Sequence, residues 1–270
     1  VQIIDSVFSN NHSVEASPIT SNGGDMMISG SLFSSNSGSL GGAMGVSRLG
    51  LHVLDSTFFD NEATSLEGEP DDGQGGAIGA SLSYVDLSGV DFFDNVAVNG
   101  GALAGYAASF AVTSSSCENN IATASGGCVY LLYSSSVRGD LFVADNYATS
   151  HGGGIYASES DIQGVRVETN HAGGSGGGIW QDVVNTSNAW LDSNEANRGG
   201  GIFALGSGSI SESVIVDNDS FSGGGGVFLT ESTIDNDGSL TMDNTFLGGN
   251  WTGDIGGGIF SDNKSAHLNN

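Results

Sequence analysis

The sequence HGGGIYASES, residues 151–160, places three glycines directly before an aliphatic and an aromatic residue. Related words recur along the chain as GGAM, GGAI, GGAL, GGCVY, GGGIW, GGGIF and GGGVF. The third residues of these glycine words are Ala43, Ala77, Ala102, Cys128, Gly154, Gly178, Gly201, Gly226 and Gly258. Their spacing falls within the period of 20–50 residues that marks a solenoid. The glycine word therefore belongs to one repeating structural unit.

A second word runs in parallel and consists of a large apolar residue, two further residues and Asn. Its asparagines are Asn11, Asn36, Asn61, Asn95, Asn120, Asn146, Asn170, Asn194, Asn218 and Asn250. In most repeats the Asn precedes the third residue of the glycine word by seven or eight positions. Insertions near residues 65–74 and 230–245 lengthen two repeats. We expect a single domain over residues 1–270.

The composition selects among solenoids. Lys and Arg together number 5 against 45 glycines, and a glycine costs about 1 kcal/mol in a helix interior, so helical repeats are disfavoured. Short β-rich runs separated by Gly, Asn, Asp and Ser suit the coils of a parallel β-helix. The sequence predicts an all-β, single-stranded parallel β-helix of about eleven coils of 24–25 residues, with three strands and three turns per coil.

Three apolar sets are expected to point inward, at about 4.8 Å from coil to coil. The set after the glycines is Met44, Ile78, Leu103, Val129, Ile155, Ile179, Ile202, Val227 and Ile259. The set three residues before the Asn is Phe8, Phe33, Phe58, Phe92, Cys117, Val143, Val167, Leu191 and Ile215. The set eight residues before it is Ile3, Ile28, Val53, Leu87, Val112, Ile162 and Ile210. We expect the Asn itself in a turn at positive φ, with its amide hydrogen-bonded along the stack.

The words FSNN, FSSN and FFDN, together with GGAM, GGAI and GGAL, resemble the repeat of the chlamydial polymorphic outer-membrane proteins. Later words drift to GGGIY, GGGIW, VADN and VETN, and the resemblance covers nearly the whole chain. It implies a right-handed β-helix and a secreted surface adhesin whose passenger is followed by a membrane barrel. No barrel-like segment is present in this sequence, and a shared repeat does not fix function.

Thirty-one acidic residues against five basic ones give a net charge of −26. This charge argues against nucleic acid and anionic membranes as partners. No signal peptide or transmembrane run is visible, so we expect no direct membrane insertion. The chain begins within a coil and ends in a polar segment. We interpret it as the ordered part of a longer protein, or as a subunit whose ends meet other chains.

Cys117 and Cys128 fall in one repeat. They are either two small core residues or a disulfide within one coil, and the disulfide would require an oxidising compartment. Five N-x-S/T sequons occur, and three of them contain ladder asparagines whose side chains are expected to be engaged. Asn185, in a predicted turn, and Asn263 remain as candidate glycosylation sites for a eukaryotic source.

Candidate chemistry is sparse. Arg166 has Glu159, Asp161 and Glu168 nearby in sequence, which is either a charge pair on a strand face or the basic residue of a polysaccharide lyase. Asp235, Asp237, Ser239 and Asp243 follow the 1, 3, 5, 9 spacing of a calcium loop, without its glycine at place six or its final Glu. No cofactor other than calcium is indicated, and a plain surface loop is the alternative.

An aromatic stripe occupies the second position after the glycines in the later repeats. It comprises Tyr130, Tyr156, Trp180, Phe203, Phe228 and Phe260, whereas earlier repeats carry Gly45, Gly79 and Ala104 there. Strand alternation predicts that the aromatic stripe points outward. It would then either stabilise itself by stacking or be covered by the following turn, or it would contact a partner, through Trp180 above all. The partners expected are other protein chains of a surface or filament assembly, or glycans.

These patterns predict an extracellular or cell-surface rod that is not an enzyme. It would act as a stalk, an adhesin passenger or a subunit of an extracellular filament. The alternative is a polysaccharide-active lyase or hydrolase, or a glycan-binding β-helix, since many parallel β-helices act on polysaccharides.

Overall fold

The computed structural model describes residues 1–65, 74–183, 185–231, 239–262 and 265–269. Over these ranges every regular element is a β-strand, and no helix occurs. All strand pairings join successive coils in parallel, so the chain is a β-solenoid of about ten turns. At about 4.8 Å per turn the stack is roughly 45–50 Å long. The predicted all-β, parallel, coiled architecture is confirmed.

Four strand positions follow one another around each coil, and we name them faces 1 to 4. Face 1 follows the glycine word, and its strands are Ile78–Ser81, Leu103–Tyr106, Val129–Leu132, Ile155–Ser158, Ile179–Asp182, Ile202–Leu205, Val227–Thr230 and Ile259–Ser261. Face 2 comes next, with Gln2–Ile4, Tyr84–Ser88, Asn185–Ser187, Gly208–Ser211, Ser239–Asp243 and Ser265–Asn269. Ile19–Ser29 and Met44–Leu54 run through both faces.

Face 3 carries the apolar residue that precedes each ladder Asn. Its strands are Val7–Ser9, Leu32–Ser34, Thr57–Phe59, Asp91–Phe93, Trp190–Asp192, Val214–Val216 and Phe246–Gly248. Three longer strands cover both face 2 and face 3, namely Ser109–Glu118, Ser136–Ala144 and Asp161–Glu168.

Face 4 follows the ladder Asn and forms a separate nine-stranded sheet. Its strands are Ser37–Gly38, Glu62–Ala63, Val96–Asn99, Ile121–Ser125, Tyr147–Ala148, His171–Ser175, Glu195–Arg198, Asp219–Ser220 and Trp251–Thr252. The prediction of three strands per coil was therefore wrong by one. The missed signal is a small residue two places after the Asn, such as the buried Ala97, Ala122 and Ala148. Its small side chain lets this short strand pack close to the interior.

The first two inward sets are confirmed by register. Ile78, Leu103 and Val129 are cross-coil neighbours and fully buried, and Phe58 pairs with Phe92, which pairs with Cys117. The third set is confirmed only in part. Val112 pairs with Gly139, whereas Ile162 pairs with Val137, because the register shifts between these coils. A fixed offset from the Asn therefore crosses from one column to another.

The asparagine ladder runs from Asn11 to Asn250. In each step both the backbone N–H and the Nδ2 of one Asn donate to the Oδ1 of the next, as from Asn120 to Asn146 at 2.9 and 3.0 Å. The predicted amide stacking is confirmed, but the predicted positive φ lies one residue earlier. Asp60, Asp94 and Asp145 have φ values of 54°, 55° and 55°. The left-handed residue turns the chain so that the following Asn side chain points inward.

Candidate functional site

The aromatic stripe points away from the main interior but is covered along its centre. Trp180, Phe203 and Phe228 are only 8%, 6% and 5% exposed and form a hydrophobic cluster apart from the main interior. Tyr156 and Trp180 stack with ring centroids 4.2 Å apart, and Phe203 and Phe228 at 5.2 Å. Strand alternation thus gave the correct direction, away from the main core, and of the two alternatives the structure matches the covered, self-stacking stripe.

Neighbouring segments cover the aromatic stripe. The His151 ring lies 6.0 Å from that of Trp180, and the Arg198 guanidinium lies 5.7 Å from the Phe228 centroid. The glycine corner also lies close to the aromatic side chain of the stripe, since a Cβ at Gly256 would lie 2.7 Å from Phe260 Cβ. Burial lowers the pKa of His151. The aromatic stripe is therefore a second, smaller core.

Burial also acts on the tyrosine that opens this cluster. Burial raises the pKa of the Tyr156 phenol far above its ordinary value, with smaller contributions from Tyr130 and Asp182. Tyr130 and Phe260, at the two ends of the aromatic stripe, are only partly buried. The central residue Trp180, which the sequence offered as the best partner anchor, is thus among the least accessible members.

Large exposed apolar side chains lie elsewhere. Trp190, Phe246, Trp251 and Phe221 are 42%, 62%, 61% and 78% exposed. Trp190 and Phe246 share one outward row on face 3, with Val214 between them. The sequence signal was the residue directly before the inward apolar position, which strand alternation turns outward.

The predicted calcium ligands are not brought together where they are described. Ser239 and Asp243 are the first and last residues of one extended strand. At about 3.3 Å per residue the two positions are roughly 13 Å apart, too far for both side chains to ligate one ion. Asp235 and Asp237 lie outside the described residues. Among the residues that the structure describes, no group of three or more His, Cys, Asp or Glu side chains could hold a metal ion.

The two candidate glycosylation sites have different outcomes. Asn185 is exposed and opens a strand instead of lying in a turn. Its Nδ2 donates to Asp161 Oδ1 at 3.2 Å, and its Oδ1 accepts from the Ser209 hydroxyl at 2.9 Å. The Asn185 side chain therefore belongs to a surface hydrogen-bond chain on face 2. Asn263 lies outside the described residues.

The two cysteines form a disulfide with a Cα–Cα distance of 6.1 Å. Cys117 takes the place of the inward Phe, and Cys128 that of the small residue in the glycine corner. Both are fully buried. Of the two interpretations left open by the sequence, the structure adopts the bridge within one coil.

Arg166 is engaged by its own neighbours. Its Nε donates to Glu168 Oε1, and its guanidinium lies 5.7 Å from the Phe142 ring centroid. Of the other acids named with it, Asp161 pairs with Arg138 at 3.3 Å. This arrangement matches a charge pair on a strand face, with an exposed pair of this kind contributing little to stability.

A concave polar site lies in a groove on face 2. It has a volume of about 670 Å³ and extends from Tyr84 past Ser109 and Ser136 to Arg138 and Asp161. These residues come from four successive coils, joined by the pairings Tyr84 to Ser109, Ser109 to Ser136 and Ser136 to Asp161. Small side chains in the middle coils thus leave a depression between a ring and a charged pair.

Local irregularity shapes this groove. The corner before Ser136 contains two successive left-handed residues, Tyr133 and Ser134, whereas Ala107 alone turns the chain in the preceding coil. The pairing of strands Ser136–Ala144 and Asp161–Glu168 also shifts register between Arg138 and Leu141. Both deviations fall where one repeat is longer than its neighbours and includes the run of serines 134–136. No sequence motif singled out this site in advance.

A second depression, of about 460 Å³, lies on face 1 in the earlier coils. Its lining includes Leu40, Gly45, Gly79, Ala104 and Tyr106. It occupies the part of face 1 where the aromatic stripe is replaced by small residues. Its lining is mainly apolar in area and contains no charged side chain, with polar groups such as Asn22 and Gln74 around it.

No helix in the described ranges is long and apolar enough to cross a membrane. No protein-family model and no curated protein matches the sequence.

Two solved structures resemble the fold. One is the catalytic domain of a GH87 alpha-1,3-glucanase in complex with tetrasaccharides, at TM-score 0.37 and 10% identity, with 98% of this chain covered. The chain spans 64% of that domain. The other is a TibC-catalysed hyper-glycosylated TibA fragment, at TM-score 0.23 and 14% identity, covering 100% of this chain and 99% of that one. With TM-scores this low, neither likeness bears on the function of this chain.

Proposed function

We propose that this chain is an extracellular β-solenoid rod that acts without catalysis, as a stalk, an adhesin passenger or a subunit of a filament. The observation that carries the proposal is the continuous interior. The asparagine ladder continues from Asn11 to Asn250, and the inward columns along it are apolar apart from the buried Gln181 and Thr186, whose side chains hydrogen-bond to each other at 2.7 Å. Every coil is thereby fixed to the next in a regular linear stack, which suits a spacer or a display scaffold.

Two further features support an extracellular setting. The Cys117–Cys128 bridge is fully buried in the rod, and structural disulfides persist in oxidising compartments. The net charge of −26 keeps such rods soluble and mutually repelling at low salt. A filament would therefore need salt, a cation or a specific interface to bring copies together.

The proposal is tested on the protein isolated from its natural host. Surface labelling of intact cells with a membrane-impermeant reagent should recover the chain, and mass spectrometry should find residues 117 and 128 linked. Small-angle scattering of the purified chain should give an elongated particle. An intracellular chain with free thiols would contradict the proposal.

The polar groove on face 2 favours a second candidate, a polysaccharide-active or glycan-binding β-helix. A screen for released reducing ends against acidic and neutral polysaccharides, with and without calcium, separates an enzyme from a scaffold. Turnover that Arg166→Ala abolishes would establish the lyase interpretation. Because Arg166 is already paired with Glu168 and Phe142, we expect no turnover to be detected.

A further inference from the structure

We propose that the groove on face 2 binds a neutral oligosaccharide lying along the rod axis, with one sugar ring against Tyr84 and the hydroxyls of another sugar at Arg138 and Asp161. This inference rests on the proposed function of the rod as an extracellular display scaffold, and it assigns that scaffold a ligand class and a site.

The shape of the groove fits an elongated ligand. Tyr84 and Asp161 are three rungs apart, or about 14 Å along the rod, which exceeds the length of a single pyranose ring. The rungs between them present Ser109, Ala111 and Ser136, whose side chains are too short to fill the space. The parallel stack therefore forms a channel with a ring at one end and a charged pair at the other.

Tyr84 provides the apolar contact. It is 49% exposed, so its ring is accessible from the groove. The His52 ring belongs to the preceding coil, on the side away from the groove, and packs edge-on against Tyr84 at 6.3 Å between centroids. A positioned aromatic ring offers a flat surface to the C–H face of a sugar while its hydroxyl remains available for hydrogen bonding.

The opposite end supplies oriented polar groups. Asp161 Oδ2 lies 3.3 Å from Arg138 Nη2, and its Oδ1 accepts from Asn185 Nδ2 at 3.2 Å. Asn185 is in turn held by Ser209 at 2.9 Å. The carboxylate is thus fixed in place before a ligand arrives, and the guanidinium retains further N–H donors because it has five. Donors and acceptors fixed side by side suit vicinal hydroxyls, with little ordering left to occur on binding.

Charge selects a neutral ligand over an acidic one. The groove contains one cation, Arg138, and two carboxylates, Glu159 and Asp161. The surrounding chain adds a net charge of −26. An anionic polysaccharide would meet repulsion from most of this surface, whereas the hydroxyls of a neutral glycan would not. Nothing in this charge pattern favours nucleic acid.

The test is titration calorimetry of the full chain with neutral tetrasaccharides of glucose, xylose and mannose, and with oligogalacturonate as the acidic comparison. We expect at least one neutral tetrasaccharide to bind and the acidic one not to. Tyr84→Ala and Arg138→Gln should each weaken that binding by about tenfold or more, as expected for central contacts of a small site. Tyr147→Ala is the matched control, because Tyr147 is comparably exposed, at 40%, but lies on face 4.

Binding of no neutral tetrasaccharide at millimolar concentration would overturn the inference, as would equal losses in Tyr84→Ala and Tyr147→Ala. Thermal melts of each variant separate a binding defect from unfolding, and Arg138→Gln, at an exposed ion pair, keeps the test open if Tyr84→Ala is unstable. Surface location, disulfide state and particle shape are measured separately, so failure of the groove leaves the rod proposal standing. Cleavage of the bound tetrasaccharide would contradict the scaffold function but leave the groove as its site.

Discussion

Coils before and after the Cys117–Cys128 bridge fill the same positions with side chains of opposite size. In the earlier coils, Phe33, Phe58 and Phe92 stack inside the rod at 4.6 and 5.1 Å, and the outward position of face 1 holds Gly45 or Gly79. In the later coils the inward position holds Val, Leu or Ile, and the aromatic rings stack on the outer side. The longest aromatic stack of each half therefore lies inside the rod in the earlier coils and outside it in the later ones, beside the shorter outward pair of Phe59 and Phe93 in the earlier half.

Each half excludes the choice made by the other. A Cβ at Gly79 would lie 1.8 Å from the Leu40 carbonyl oxygen, so an aromatic side chain has no room on the outside there. A Cβ at Gly201 would lie 2.9 Å from Ile215 Cγ2 and 2.7 Å from Gly226 O, so the alanine of the earlier corners does not fit. Side-chain volume thus changes at several positions of a coil together. Where the outward residue of face 1 is large, the inward residue before the Asn and the corner residue are smaller.

The backbone follows this redistribution. In the earlier corner, the N–H groups of Ala77 and Ile78 both donate to Ala102 O, at 2.9 and 3.0 Å. In the later corner, Gly201 donates to Gly225 O and Ile202 to Gly226 O, at 3.0 and 2.8 Å. Glycine lets the later corner regain one donor for each carbonyl. The asparagine ladder is the same in both halves and fixes the stacking of the coils, whereas the side chains of the glycine corner determine its backbone hydrogen bonds.

The largest expected effect is on the later aromatic stack. Trp180→Ala removes a ring that is 8% exposed, and we expect a loss of about 3–5 kcal/mol in the free energy of unfolding. Trp190→Ala is the matched control, since Trp190 is 42% exposed, with an expected loss of about 1 kcal/mol or less. Urea denaturation of both variants measures the difference. Equal losses would mean that the aromatic stripe is not a core.

The junction between the halves should be next in size. Replacing both Cys117 and Cys128 by Ala opens a link of sequence separation 11, and loop-closure entropy gives a loss of about 3 kcal/mol. Denaturant titration of this variant, compared with the oxidised parent, measures it. Adding a reductant should lower the parent toward the variant and leave the variant unchanged. If the reductant leaves the unfolding of the parent unchanged at every denaturant concentration, the disulfide is absent.

The ladder should respond alike in both halves. Asn146→Ala removes the acceptor of Asn120 N and Nδ2, and Asn61→Ala does the same to Asn36. Leaving buried donors unpaired costs about 1–3 kcal/mol at each site. Thermal and urea unfolding should therefore give similar losses for the two variants. A loss confined to one half would mean that the ladder is not the shared element.

The smallest effect concerns pH and the later half alone. Burial lowers the pKa of His151 from its usual 6.5, so the unfolded chain binds this proton more readily than the folded one. The contribution is complete above pH 6.5 and decreases as pH falls from there toward the folded pKa. Hydrogen exchange of residues 176–182 at pH 7.5 and 5.5 should show faster opening at the lower pH. His151→Gln should reduce that difference, whereas replacing the half-buried His171, which lies on face 4 and stacks on Tyr147, by Gln should not.

Sequence periodicity determined the solenoid and most of its interior. The glycine word and the apolar-x-x-Asn word specified two of the inward columns and the ladder, because a residue that must fit an identical neighbour on each rung leaves a fixed-period trace. The fourth strand left a fainter trace, the small residue in Ala97, Ala122 and Ala148. The left-handed residue before the Asn also recurs in the sequence, as Asp60, Asp94 and Asp145, although we expected the positive φ at the Asn itself.

Only the tertiary structure decided which surfaces are free. The sequence placed Trp180 correctly on the outer side of its strand, yet its ring contact with His151, at 6.0 Å between centroids, comes from a neighbouring coil and has no periodic signature. The groove on face 2 likewise depends on a register shift and an extra corner residue in one coil, and it joins Tyr84 to Asp161 across 77 positions of chain. A sequence period indicates the features that all coils share, whereas exposed surfaces and grooves form where one coil differs from its neighbours.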